Sequence, residues 1–332
     1  MKHKLITIFI LIILISLAII YTYKNENISS NIDISTHVQQ VTSSTELIDI
    51  NTDHNQILDV YEYMTSNKIN IPSTLINFDT HSDIFVNSNI LRFKESSVAS
   101  WVNNLLAKYP EVEEIYWVLP PEVANDTKLN IIFADNDLAY LDTPQPLYGN
   151  SLNPKISLTH MLINPLSQKA YKQELLVDPI TGNINENTDN DELVKSLFGK
   201  DKSQLRKVTI ISCTEKTLPN LKDKDILLSI DADYTSNSGY DTIENFRFVK
   251  SKKGINTTFY SIFKTLEEKN ITPRIISLSL SPQYLPTEHH EHVSNIFEKI
   301  LRISNKKDKI KNYKNKYFPP EYYTIEDKKA GN

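Results

Sequence analysis

The chain predicts an α/β fold, a three-layer α/β/α arrangement around a mostly parallel sheet, and three observations carry that prediction. From Ser44 onward, short runs rich in Ile, Leu and Val alternate with stretches of helical period. These runs are near-continuously apolar, as strands covered on both faces require. Two end on Asp and a third is followed closely by His54, and ligand-binding residues gather at the carboxyl edge of an open parallel sheet.

In chain order, the first element is an export signal. Met1–Lys4 is basic and Leu5–Tyr21 is almost wholly apolar. As a helix this segment spans about 25 Å, slightly short of a bilayer core. Residues 1–21 therefore read as a signal-anchor with the Lys-bearing end in the cytoplasm. The alternative is a cleaved signal peptide with apolar part Leu5–Ile15 and the small-residue site Ser16-Leu17-Ala18. Isoleucines continuing past Ala18 favour the anchor. Either way the rest is exported, as an extracytoplasmic C-terminal domain on a single-pass anchor or as a secreted protein. Residues 22–43, rich in Asn, Ser, Thr and Gln, read as a polar linker.

The domain spans 44–304. Expected strands are Glu46–Ile50, Thr74–Asp79, Glu114–Leu119, Leu129–Ala134, Lys207–Ser212, Asp225–Asp231 and Arg274–Leu280. Expected helices are Gln56–Ser66, Ser97–Lys108, Asp191–Phe198, Thr257–Lys269 and His289–Ile303. The region from about 135 to 190 is less regular and Pro-bearing; it reads as a central insertion with a hairpin near Ala170–Asp178. Residues 305–332 form a Lys-rich tail, read as solvated.

Composition excludes some classes. A net charge of -5 gives no global basic field for nucleic acid. Only six glycines occur, and none forms a G-x-G-x-x-G or a P-loop. Cys213 is the single cysteine, so no intramolecular disulfide is available; it reads as an inert strand residue.

The chemistry concentrates at strand ends. In Asp79-Thr80-His81-Ser82-Asp83, an extended backbone would project all three ligand-capable side chains to one side. Two carboxylates beside an imidazole suit Mn, Zn or Fe. A second apolar strand ends in Asp231-Ala232-Asp233. A calcium loop fails there: position six is Ser236 instead of Gly, position twelve is Thr242 instead of Glu, and a strand precedes it. A third strand end carries His54.

With these pieces the sequence resembles the arginase–deacetylase, or ureohydrolase, superfamily. Its pattern is a histidine after the first strands, then Asp-x-His-x-Asp, then a distant Ser-x-Asp-x-Asp. Here those are His54, Asp79–Asp83 and Ser229–Asp233, and the likeness runs from about Ile48 to Val293. The blocks TDHNQIL, INFDTHSD, EEIYWVLPPE, LLSIDADY and SLSPQYLP look closest to a branch that includes the peptide arginases. The resemblance implies an arginase-like fold and two Mn ions. His54, Asp79, Asp83 and Asp231 would hold one; Asp79, His81, Asp231 and Asp233 would hold the other, with Asp79 and Asp231 as bridges. A hydroxide shared by the ions would be the nucleophile. The implied activity is hydrolysis of a linear C–N bond, peptidyl arginine giving ornithine and urea. A deacetylase-like amide hydrolase with one zinc on Asp79, His81 and Asp231 is the alternative, as is an anchored metal-binding module without turnover.

This sequence departs from the arginases of free arginine in two ways. No histidine follows Asp83 until His160, and the late strand Ser277–Pro282 lacks the carboxylate that grips a guanidinium. Free arginine is thus disfavoured against peptide or protein arginine side chains or another small guanidino or amide substrate. Glu95 and Glu122 are substrate-binding candidates that could reach the pocket and bind a cationic group, although each reads more readily as a solvated loop acid. Glu288-His289-His290-Glu291-His292 contains no H-E-x-x-H and reads as an exposed helix start, and Trp117 as core.

Overall fold

A computed structural model of the protein describes residues 33–84, 101–124, 168–186, 190–238 and 248–305. The N-terminal apolar segment, Glu95, the expected strand Leu129–Ala134 and the Lys-rich tail from 306 lie outside the described residues. Among the described residues no helix is long and apolar enough to cross a membrane.

The strands are β1 Leu47–Asn51, β2 Thr74–Phe78, β3 Glu114–Val118, β4 Tyr171–Val177, β5 Ile184–Glu186, β6 Arg206–Cys213, β7 Ile226–Asp231 and β8 Ile275–Ser279. They form one open sheet in the order β1-β8-β7-β2-β3-β6-β4-β5. β1, β8, β7, β2, β3 and β6 are parallel. The hairpin β4–β5 adds the antiparallel edge by pairing β4 with β6. From β2 the path moves toward β3, and from β7 it moves the opposite way toward β8. The boundary between β2 and β7 is therefore the topological switch point, where open sheets leave a crevice beyond their carboxyl ends.

The described helices are α1 Ser35–Val41, α2 Ile57–Ser66, α3 Trp101–Lys108, α4 Pro121–Ala124, α5 Asp191–Phe198, α6 Lys252–Glu268 and α7 Thr287–Ile303. Strand side chains alternate between two cores. Ile48, Ile76, Tyr116, Leu228 and Ile276 pack with α1, α6 and α7. Leu47, Leu75, Ile115, Leu227 and Ile275 pack with α2 and α3 on the other face. Helices thus cover both faces, which explains why the strands read as continuous apolar runs.

Three expectations need correction. The polar linker 22–43 does not persist to its end, because Ile34, Val38 and Val41 are buried against α6 and α7. Their i, i+4, i+7 spacing is one helical stripe, and Thr36, Gln39 and Gln40 between them are exposed. The expected helix Thr257–Lys269 starts at Lys252, where the Ser251 side chain accepts from the Gly254 amide at 3.2 Å and caps the first turn. His289 and His290 are buried instead of lying on an exposed helix end. The apolar stripe Val293, Ile296, Phe297 and Ile300, extended back one turn, lands on them. Cys213 and Trp117 are core residues as expected, and burial pushes the Cys213 thiol well up from its ordinary range.

Candidate metal centre

The face of the sheet packed by α2 and α3 changes character along the strands. Leu47, Ile275, Leu227, Leu75 and Ile115 lie in one apolar transverse row. Two residues on, the same face carries Asp49, Ser277, Ser229, Asn77 and Trp117, again in register. All five are buried. Buried polar groups need partners, and these find theirs among the residues just above them, at the strand ends. Asn77 Nδ2 donates to Asp79 Oδ2 at 3.0 Å, and the Trp117 indole N–H donates to the Asp79 carbonyl at 3.0 Å. Ser229 Oγ lies 2.8 Å from His54 Nε2.

Three loops bring the candidate ligands together. After β1, the Gln56 side chain accepts the Thr52 and Asp53 amides at 2.9 Å each, which closes the 3-10 turn carrying His54. After β7, Asp231 Oδ1 accepts the Asp233 amide at 3.1 Å and turns the backbone into a 3-10 helix. After β2, the His81 amide donates to Asp79 Oδ1 at 2.8 Å, and the Thr80 amide and hydroxyl bond Asp233 at 3.2 and 3.1 Å. The expected extended backbone through Asp79, His81 and Asp83 is not what forms. β2 ends at Phe78, and Asp83 reaches the site with φ 52, in the left-handed region. Asp tolerates that region better than most residues, though at a cost of about 1–3 kcal/mol.

The result is two adjoining groups. His54 Nδ1 lies 3.0 Å from an oxygen of each of Asp79, Asp83 and Asp231. None of the three meets hydrogen-bond geometry, so among the described residues this buried nitrogen faces three carboxylates at ion-pair distance without an aligned hydrogen bond. His81 Nδ1 lies 2.8 Å from Asp233 Oδ2 and 3.9 Å from Asp79 Oδ1. Among the described residues, two sets have ligand-capable atoms all within 4.8 Å of one another: His54, Asp79 and Asp231, and Asp79, His81 and Asp233. Asp79 belongs to both, whereas Asp231 joins only the first. The three-residue set around His81 therefore takes Asp233 in place of the Asp231 expected for a lone zinc.

Electrostatics test the fit of a cation. The four aspartates are almost fully buried. Burial, with neighbouring carboxylates adding, pushes Asp79 up to about 6 and Asp233 up to about 8. Burial alone would lower His54, but the Asp231 and Asp79 carboxylates raise it well above its ordinary value. Such a cluster demands positive charge, either as protons or as metal. Hard oxygen donors with imidazole nitrogen suit Mn, Fe or Zn, so the residues fit the expected ions.

Some contributors were not read from the sequence. The Trp101 indole N–H donates to Asp83 Oδ2 across from α3, and its ring lies 4.8 Å from that of His54. Ser281 Oγ donates to Asp231 Oδ2 at 2.6 Å from a residue with φ 46. Neither had a sequence signal, since each arrives from a separate element. The polar row did: Asn77, Ser229 and Ser277 each interrupt an apolar run two positions before a strand-end residue. Glu122 is not part of the cluster; Lys250 Nζ takes up its carboxylate at 2.9 Å. Among family models and among curated proteins, nothing matches this sequence.

Proposed function

We propose that this protein is an Mn-dependent hydrolase of a linear C–N bond, acting on arginine side chains of peptides or proteins to give ornithine and urea. One observation carries the reading: two buried Asp/His groups share Asp79 at the switch point of a parallel sheet. His54, Asp79, Asp83 and Asp231 would hold one ion, and Asp79, His81 and Asp233 the other, with Asp79 common to both. This is the ligand order of the arginase-like fold that the sequence resembles. Bound dications supply the Lewis acidity that makes water a nucleophile near neutral pH.

The protein's own contribution is placement. Ser229 fixes the tautomer of His54 when it accepts the Nε2 proton, which leaves Nδ1 free to ligate. Asn77 and Trp117 hold Asp79, and Ser281 and Trp101 hold Asp231 and Asp83. In the reaction, water oxygen becomes the urea oxygen, the bond from the guanidinium carbon to the substrate's Nε breaks, and the leaving amine takes a proton. The test is incubation of Mn-loaded protein with arginine-containing peptides, read by urea release and by the mass of the peptide. Turnover of acetyl-lysine peptides instead would favour a single-zinc enzyme built on Asp79, His81 and Asp233, whose ligand-capable atoms lie within 4.8 Å of one another and match the three protein ligands a catalytic zinc takes. Metal binding without either turnover would favour an anchored binding module.

The apolar segment Leu5–Tyr21 would tether this hydrolase with its domain outside the cytoplasm. A reporter after Asn332 should then be external and resist a salt wash; release of a shortened protein would mark a cleaved signal peptide.

A further inference from the structure

The turn after β8 holds an aromatic ring at the edge of the candidate centre. Ser281, in the left-handed region, bonds Asp231 through its hydroxyl. Its carbonyl accepts the Tyr284 and Leu285 amides at 2.9 and 3.0 Å, which closes the turn. The Tyr284 carbonyl in turn accepts from the Ser238 amide at 2.7 Å and from the Ser238 hydroxyl at 2.8 Å. Ser238 follows the Asp231–Asp233 ligand segment on β7, so the turn is tied to that segment at both ends. The Tyr284 ring comes to rest 4.8 Å from the His81 imidazole, tilted at 47°. His81 is buried while Tyr284 is half-buried, so of these two residues Tyr284 is the one nearer solvent.

No carboxylate occupies this strand end, from Ser277 to Pro282, and Glu122 is taken by Lys250. A planar cation approaching the His81 group past this turn would meet the phenol ring. Guanidinium, flat and weakly hydrated, stacks on aromatic faces; a compact ammonium gains less and a neutral ureido group lacks the charge. We propose that Tyr284 is the specificity-determining residue of this site, its ring forming the wall on which the substrate's guanidinium stacks. This rests on the hydrolase reading and names how that hydrolase selects its side chain. Recognition lies in the ring, and the hydroxyl is dispensable for it.

Binding tests this apart from turnover. The full-length protein, Mn-loaded and metal-free, is titrated calorimetrically with N-acetyl-arginine amide and N-acetyl-citrulline amide, with metal content measured in each sample. Wild type should prefer the arginine probe. Tyr284→Phe should keep that preference, and Tyr284→Leu should weaken arginine-probe binding about 5- to 30-fold at unchanged metal content. Three results overturn the proposal: Tyr284→Phe losing as much as Tyr284→Leu, Tyr284→Leu binding like wild type, or wild type showing no preference. A Tyr284-dependent preference in protein that holds no metal would sustain this inference and count against the hydrolase reading.

Discussion

Asp79 is the residue through which the two groups of the centre are joined. Its side chain accepts from Asn77 and from the His81 amide, its carbonyl from Trp117, and its oxygens face both His54 and His81. Asp79→Asn removes a negative charge from both groups, and a neutral amide is a poor ligand for a hard dication. It should abolish binding of both ions and lower urea release by orders of magnitude, whereas Asp83→Asn and Asp233→Asn should each spare one ion. Metal analysis of the three purified variants checks the ranking. The same buried charge predicts a pH dependence for the metal-free protein. Asp79 and Asp233 sit near 6 and 8 when folded, against ordinary values near 4 in an unfolded chain. His54, raised as well, keeps its proton longer when folded. The folded state thus binds more protons across that window, so stability falls as pH rises from about 4 to 8. Thermal unfolding should come earlier at about pH 8 than at about pH 5, and Mn should remove most of the difference. A metal-free melting temperature that rises with pH would contradict these charge states, and Asp233→Asn should flatten the slope.

Among the elements, α1 and the ligand loops show different kinds of dependence. α1 has seven residues, no side-chain N-cap and no acidic first turn, so it has little reason to be helical alone. It forms because Val38 and Val41 find a groove between α6 and α7, and because His37 pairs with Glu267 on α6. Its stability is therefore tertiary. Val38→Ala should cost about 2 kcal/mol in denaturant unfolding without changing metal content; no loss of stability would mean that α1 is not docked. The ligand loops are held locally, by Gln56 under His54 and by the Asp231 carboxylate under Asp233. This separation explains what was legible. The strands beneath the ligands, and the ligand spacing itself, are local patterns and could be read off the sequence. α1 was hidden because only one stripe of a polar segment is apolar. The left-handed turn at Asp83 and the bonds from Trp101 and Ser281 depend on partners distant in sequence, and no local pattern announces them.

For the whole molecule, one arrangement ties fold to site. The order β1-β8-β7-β2 sets four strand ends side by side, and their loops supply His54, Ser281, Asp231 with Asp233, and Asp79 with His81 and Asp83. The parallel core of the sheet was predictable from alternating apolar runs and helices, and so was the edge on which the candidate Asp and His residues gather. The strand order was not, because pairing depends on which crossovers the backbone takes. Pairing of the β4–β5 hairpin with β6 was equally unreadable, since a hairpin's own sequence does not say which edge it joins. The claim on which everything else rests is that this edge binds two cations that share Asp79. It is tested most directly by equilibrating the metal-free full-length protein with Mn and counting bound ions per molecule by elemental analysis. Wild type should hold two ions and Asp79→Asn none. One tightly held zinc that excludes Mn, or wild type and Asp79→Asn binding alike, would contradict that claim.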